Sequence, residues 1–248
     1  MSTLLRATTL LFLVCWLAFA SAAAPKASAS STDVLNRYIA ASQQLQMRLR
    51  DSSMDIDVDG RLLRLKKEGS LHALRMIGRL GQITFDAASS VGDKTVIKEL
   101  ITRYLTAETD PGNLLKDSQG NVQSIAISQE NYKFRYKATV TTDARQVFVF
   151  QIAPKKNRVG LFKGEVWVDG ETGMPIRESG RFVKSPSKFL RNLDFVRQYE
   201  MREGMALPAK IECSVETFLY GKAELSVRYS KYSVLEAAAQ SRVDPLDR

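Results

Sequence analysis

The sequence is poor in the residues that perform chemistry. Its 248 residues include one histidine and two cysteines. A lone imidazole, His72, cannot build a zinc site, and no cysteine pair exists outside the leader to complete one. A Ser-His-Asp triad would have to recruit that same imidazole, and no Gly-x-Ser-x-Gly elbow occurs. Nor is there a glycine-rich loop of phosphate-binding spacing. These absences leave no catalytic residues, no metal and no cofactor to expect, and His72 reads as an ordinary sheet residue. Cys15 falls in an apolar leader, so Cys213 alone remains and no internal disulfide is expected. Cys213 belongs to the apolar set Ala209, Ile211, Cys213 and Val215, which makes it a small core residue rather than a reactive thiol.

Long apolar runs are scarce too. The one at residues 10–20 is too short for a mature membrane span. Arg6 precedes it and the small residues 18–24 follow it, the pattern of a signal peptide over residues 1–24; a retained N-terminal anchor is the alternative. Cys15 lies too early, after bulky Leu13 and Val14, to be an acylation site, so no lipid anchor is expected. Residues 25–32 are an Ala/Ser-rich linker.

Basic residues outnumber acidic ones by 36 to 27. They are spread over outward-facing strand positions, with short clusters at Lys66-Lys67 and Lys155-Lys156. Such a solvated face permits transient attraction to an anionic membrane surface, and nucleic acid is not an expected partner of an exported chain.

What the chain does contain is alternation. Residues 132–183 read as four antiparallel strands joined by short turns. Tyr132, Phe134, Tyr136, Ala138 and Val140 fall on one side of the first, and Lys133, Arg135, Lys137 and Thr139 on the other. The turns fall at Asp143-Ala144, at 155–158 and at 170–175. Further strands are predicted at 54–58, ending in an Asp59-Gly60 turn, at 122–128, and at 193–201, 209–219 and 223–232. Residues 62–88 read best as a hairpin, because Gly78 and Gly81 punctuate them. Two helices show apolar stripes at helical spacing. One runs from a Thr32 or Asp33 cap to about Arg50, and the other from an Asp93 cap to about Ala107. Residues 236–248 read as a polar tail, following a single domain over 33–235.

Two local features need separate treatment. Asp55-x-Asp57-x-Asp59-Gly60 copies half of a calcium loop, but Lys66 stands where the bidentate glutamate belongs, and the wet face of a strand explains the aspartates better. Arg197 shares its parity with Leu193, Phe195, Tyr199 and Met201. Either a bulge turns it outward, or it is a cation inside an apolar enclosure that needs a partner.

Nine to eleven strands and two helices thus predict an α+β fold: a curved antiparallel sheet with amphipathic helices over its apolar face. Helices of about fifteen residues span roughly 22 Å. They can roof such a sheet without filling a wide one. Whether the aromatic-rich inner set encloses a cavity or closes into a dry core is left open by the pattern.

The segments Asn131-Tyr132-x-Phe134-x-Tyr136, Gly160-Leu161-Phe162-x-Gly164-Glu165-Val166-Trp167-Val168-Asp169 and Thr172-Gly173-Met174-Pro175-Ile176-Arg177 resemble the periplasmic lipoprotein-carrier superfamily of diderm bacteria. That group comprises the LolA-like and LolB-like proteins and the N-terminal domain of RseB/MucB. The likeness is closest over some twenty residues. It implies an incomplete, half-open β-barrel, a periplasmic location, and a helix-lidded hydrophobic cavity that takes acyl chains of lipids or lipoproteins. The expected lining is Met54, Ile56, Val58, Leu100, Tyr104, Phe134, Tyr136, Phe162, Val166, Phe195, Tyr199, Leu225 and Val227, with Arg197 the candidate for a cavity arginine. A carrier is the first reading that follows. A sensor or envelope-assembly protein whose apolar face binds a protein partner is the second, and an enzyme acting on envelope lipids is the third.

Overall fold

The computed structural model describes residues 30–109, 125–142, 145–185 and 188–235. The expected leader, the polar tail, the 110–124 loop and the expected turn at Asp143-Ala144 lie outside them. Ten strands form one antiparallel sheet: β1 (Ser52–Leu62), β2 (Lys67–Ile77), β3 (Ile83–Gly92), β4 (Tyr132–Thr142), β5 (Arg145–Pro154), β6 (Phe162–Asp169), β7 (Pro175–Phe182), β8 (Leu190–Arg202), β9 (Met205–Thr217) and β10 (Gly221–Val234). The order across the sheet is β3-β2-β1-β10-β9-β8-β7-β6-β5-β4, so β3 and β4 are free edges and the sheet does not close. The chain runs as two meanders joined by β1 pairing with β10.

Helix α1 (Ser31–Arg48) begins one turn earlier than its sequence suggests. Ser30 is the cap, its hydroxyl accepting from the Asp33 amide, and Asp33 sits in the first turn. The second helical stretch starts as α2 (Lys94–Val96), widens into a π-helical turn over Ile97–Thr102 and ends as α3 (Arg103–Thr109). Asp93 caps it, accepting from the Thr95 and Val96 amides. A hydrogen bond from Lys67, and those two amides, hold the Asp93 carboxyl down at about 2 against the opposing effect of desolvation.

Two cross-strand rows on the inner face explain how the helices seat. One runs Phe134, Ile152, Gly164, Gly180, Phe195, Cys213, Leu225, Gly60, Gly69. Four of its members lack a side chain. A Cβ on Gly60 would stand 3.0 Å from Ile101 and Val96, and one on Gly69 3.2 Å from Ile97. The second helical stretch therefore lies directly on the sheet backbone there. Asp59-Gly60 is not a turn, as its composition suggests; β1 runs straight through it to Leu62 because Gly60 is a helix seat.

Two other expectations change. Residues 125–128 are irregular rather than a strand. The hairpin at 62–88 is real but longer, with a 3₁₀ turn at Leu63–Leu65 before β2 and β3 continuing to Gly92. On the outer face the aspartates of β1 have partners: Asp55 pairs with Lys231 and Asp59 with Arg228. Asp57 Oδ1 accepts from His72 Nδ1 at 2.9 Å, and His72 is a sheet residue.

Candidate functional site

The inner face carries one chemical irregularity. The second cross-strand row reads Tyr136, Phe150, Val166, Glu178, Arg197, Ile211, Val227, Val58, Leu71. Seven members carry apolar or aromatic side chains, and the two charged ones are neighbours. Directly opposed residues of antiparallel strands share a face, so Arg197 points inward with buried Ile211. The register shift of β8 on β9 comes one residue later, at Gln198/Tyr199, and does not turn Arg197 out. Of the two readings of Arg197, the inward cation with a partner is the one realised.

That partner is Glu178, which is 2% exposed. Arg197 Nη1 donates to Glu178 Oε2 at 2.9 Å, and Tyr38 of α1 donates its hydroxyl to Glu178 Oε1 at 3.0 Å. Tyr199 lies 3.5 Å from the same guanidinium nitrogen. Burial, reinforced by the Glu178 charge, holds the Tyr38 and Tyr199 phenols above their ordinary range. Burial works against the Arg197 charge, but Tyr199 and Glu178 more than offset it and its pKa is raised. Arg75 and Glu108, 3.6 Å apart, form a second shielded pair between β2 and α3. The site is thus a line of hydrogen bonds from α1 through a carboxylate to a guanidinium, set in an apolar floor.

The expected lining residues divide accordingly. Met54, Ile56, Val58, Leu100, Tyr104, Phe162, Val166, Phe195, Leu225 and Val227 are all buried in one core. Phe134 is partly buried against it. Tyr136 is the departure: it lies on edge strand β4, its ring 6.1 Å from that of Phe150, and remains 47% exposed. Glu178 was missed because a shift of register between Trp167 and Val168 puts β7 out of phase, leaving Ile176 outward and 37% exposed. Trp167 lies half-buried between buried Val166 and Val168, on the opposite side of the strand from them.

Aromatic side chains pack closely on the inner face. The rings of Phe162 and Phe195 meet edge to face at 4.8 Å, and Phe182 packs on Phe195 at 4.9 Å. A cavity of about 50 Å³ sits beside α1, between Leu45 and the segments around Met174 and Met205. A far larger open groove, about 820 Å³, crosses the outer face. It is floored by pairs such as Lys210–Glu212 and Arg228–Asp59, which neutralise one another.

No protein-family model matches the sequence, and no curated relative is found by sequence. Solved structures are similar to it at low identity. A LolA superfamily protein from Nitrosomonas europaea matches at 11% identity and TM-score 0.39, over 83% of this chain and 93% of that one. A DUF1329 family protein from Desulfovibrio piger matches at 14% identity and TM-score 0.43, over 84% and 95%. The MucA/MucB complex of Pseudomonas aeruginosa matches at 12% identity and TM-score 0.23, over 80% and 92%. At such identities and scores these likenesses describe an arrangement of strands and helices and carry no activity across. A LolA superfamily protein and MucB, both named in the resemblance drawn from the sequence, are among the solved structures similar to this chain.

Proposed function

We propose that this chain is an exported, non-enzymatic periplasmic protein that binds acyl chains of lipids or lipoproteins against the inner face of its sheet, with α1 as a displaceable cover. The observation that most supports this is the Glu178–Arg197 pair under α1. A buried ion pair returns little net stability relative to apolar side chains of similar volume, because desolvating both charges offsets their attraction. Stability therefore gives no reason for two charges in the middle of an apolar row. A cover that must exchange partners does. With α1 lifted, the apolar floor and the guanidinium face one opening, which suits a hydrocarbon tail with a polar head.

Entry requires that movement. Small-molecule pockets typically measure about 300–1,000 Å³, and the space beside α1 is about 50 Å³. Helix α1 is anchored chiefly through its N-terminal half, so that is the part cargo would have to lift. Of its eighteen residues only Val34 and Tyr38 are buried. Arg37 ties it to the carbonyls of Gly170 and Glu171, while Tyr232 holds its C-terminal end through the Arg48 carbonyl. Exposing two large side chains costs about 5 kcal/mol, and three hydrogen bonds add about 3 kcal/mol. Burying some twelve methylenes returns about 10 kcal/mol. Loading and release are then nearly balanced, as a carrier requires.

Native mass spectrometry followed by solvent extraction tests this reading. The expected results are a co-purifying lipid, and tighter uptake of a fatty-acid probe by Tyr38→Phe, which frees α1 from Glu178. An apo species that ignores the probe in both forms would overturn it. That result would favour the second reading, a sensor or assembly protein whose apolar surface meets a protein partner; the closely packed Phe162, Phe182 and Phe195 are the observation on its side.

A further inference from the structure

Three turns meet at one rim of the sheet, the end holding Leu62 of β1, Thr217 of β9 and Leu190 of β8. Two present apolar side chains between cations in the sequence, Arg61-Leu62-Leu63-Arg64-Leu65-Lys66 and Lys188-Phe189-Leu190-Arg191, and the third, Phe218-Leu219-Tyr220-Gly221-Lys222, ends in one. Leu63, Phe189, Phe218 and Leu219 are 44%, 43%, 61% and 55% exposed. Backbone contacts join the turns into one surface. Arg64 donates to the Leu219 carbonyl at 2.8 Å, and the Phe218 amide to the Phe189 carbonyl at 3.1 Å.

The cations are arranged around these side chains. The Arg103 guanidinium lies 3.7 Å from the centre of the Phe189 ring, and that of Arg191 4.9 Å from the Phe218 ring. Arg64, Lys66, Lys188 and Lys222 are exposed beside them. Three acidic side chains of the same rim have partners: Glu224 pairs with Arg61, Glu216 accepts from Asn192, and Glu99 pairs with Arg103. Large apolar tips on protruding turns, with exposed Arg64, Lys66, Lys188 and Lys222 around them, match a bilayer interface. The tips enter the acyl boundary and the cations meet lipid phosphates.

We propose that this rim docks the protein reversibly on an anionic membrane surface. The inference does not rest on the cargo reading, since the rim lies at the sheet's end and contributes nothing to the Glu178–Arg197 site. The opposite end supplies a control: Leu80 in the β2–β3 turn is 88% exposed, and the neighbouring Arg79 is paired with Asp51.

Flotation of the processed protein with vesicles containing phosphatidylglycerol, against vesicles of phosphatidylcholine alone, tests it. Binding to the anionic vesicles is expected, and it should weaken at least about tenfold as added salt shortens the Debye length from about 30 Å to about 3 Å. Phe218→Ser with Leu219→Ser, and separately Arg64→Glu with Lys188→Glu, should each lower it at least about tenfold, while Leu80→Ser leaves it unchanged. All these side chains are exposed, and circular dichroism confirms that the variants fold. Equal binding to both vesicles, or parent-like binding by either double variant, would overturn the proposal. So would vesicle-free self-association that those substitutions abolish, which would assign the rim to a second copy. Cargo is read separately, by extracting lipid from vesicle-free protein, so either idea can fail alone.

Discussion

Glu178 and Arg197 show what single residues contribute and how far a sequence reveals it. The parity of Arg197 among Leu193, Phe195 and Tyr199 leaves two readings, an outward bulge or an inward cation in need of a partner, and the structure realises the second. The partner is hidden, because the bulge opposite Trp167 shifts β7 by one and makes Ile176 look like the inward residue. Replacing Glu178 by Leu strands a guanidinium that retains some contact with water, with a side-chain exposure of 29%. The expected loss is about 2–4 kcal/mol by urea denaturation, at the lower side of values for buried pairs. Adding Arg197→Met should recover stability to within about 1 kcal/mol of the parent. A double variant no better than the single would show that the pair is not coupled.

Titration gives a second residue-scale test. Burial pushes the Cys213 thiol and the Tyr132 phenol up to about 12 and holds Tyr104 and Tyr229 above their usual range as well. In the unfolded chain these groups release protons near about 8.5 for cysteine and about 10 for tyrosine. Between those values and the folded ones the unfolded state binds fewer protons, so stability must fall as pH rises. The midpoint in urea should hold steady up to about pH 8.5 and then decline toward pH 12 and beyond. Tyrosinate absorbance should lag behind that of an unfolded control until the fold is lost.

Among elements, the sheet was legible and the way its helices seat was not. Alternation at 132–140, turn residues near 170–175 and 203–204, and the Asp93 cap all mark elements the fold contains, since each is set by local chemistry. Gly60 was misread because Asp-Gly is a turn signal when taken alone. Its role depends on Val96, Leu100 and Ile101, more than thirty residues away. Gly60→Ala puts a methyl 3.0 Å from two of these side chains. The helix must shift, at a cost of about 1–3 kcal/mol, and faster hydrogen exchange over residues 94–109 should accompany the lower urea midpoint. Gly164→Ala is the harsher change, since its Cβ would fall 1.9 Å from the Ser179 carbonyl oxygen and force β6 from β7.

For the whole molecule, an open sheet under two helices follows from counting strands and helices, but the close packing on its inner face does not. A count of apolar residues cannot give helix-to-sheet distance, and here the glycines set that distance by letting α2 and the π-helical turn down onto β1 and β2. The molecule consequently has a tightly seated cover and a loosely seated one. Hydrogen exchange should separate them, because opening free energies follow local burial. Amides of α1 should exchange faster than those of 94–109, with the central strands β8, β9 and β10 slowest. A bound acyl chain should speed exchange at the N-terminal end of α1 and leave the rim turns unchanged. Anionic vesicles should do the opposite, protecting 61–66, 188–191 and 218–222 without loosening α1. If both ligands change the same segments, docking and loading are one event and the molecule has a single site. If α1 proves as protected as β9, no cover lifts, and its packed interior is simply a core.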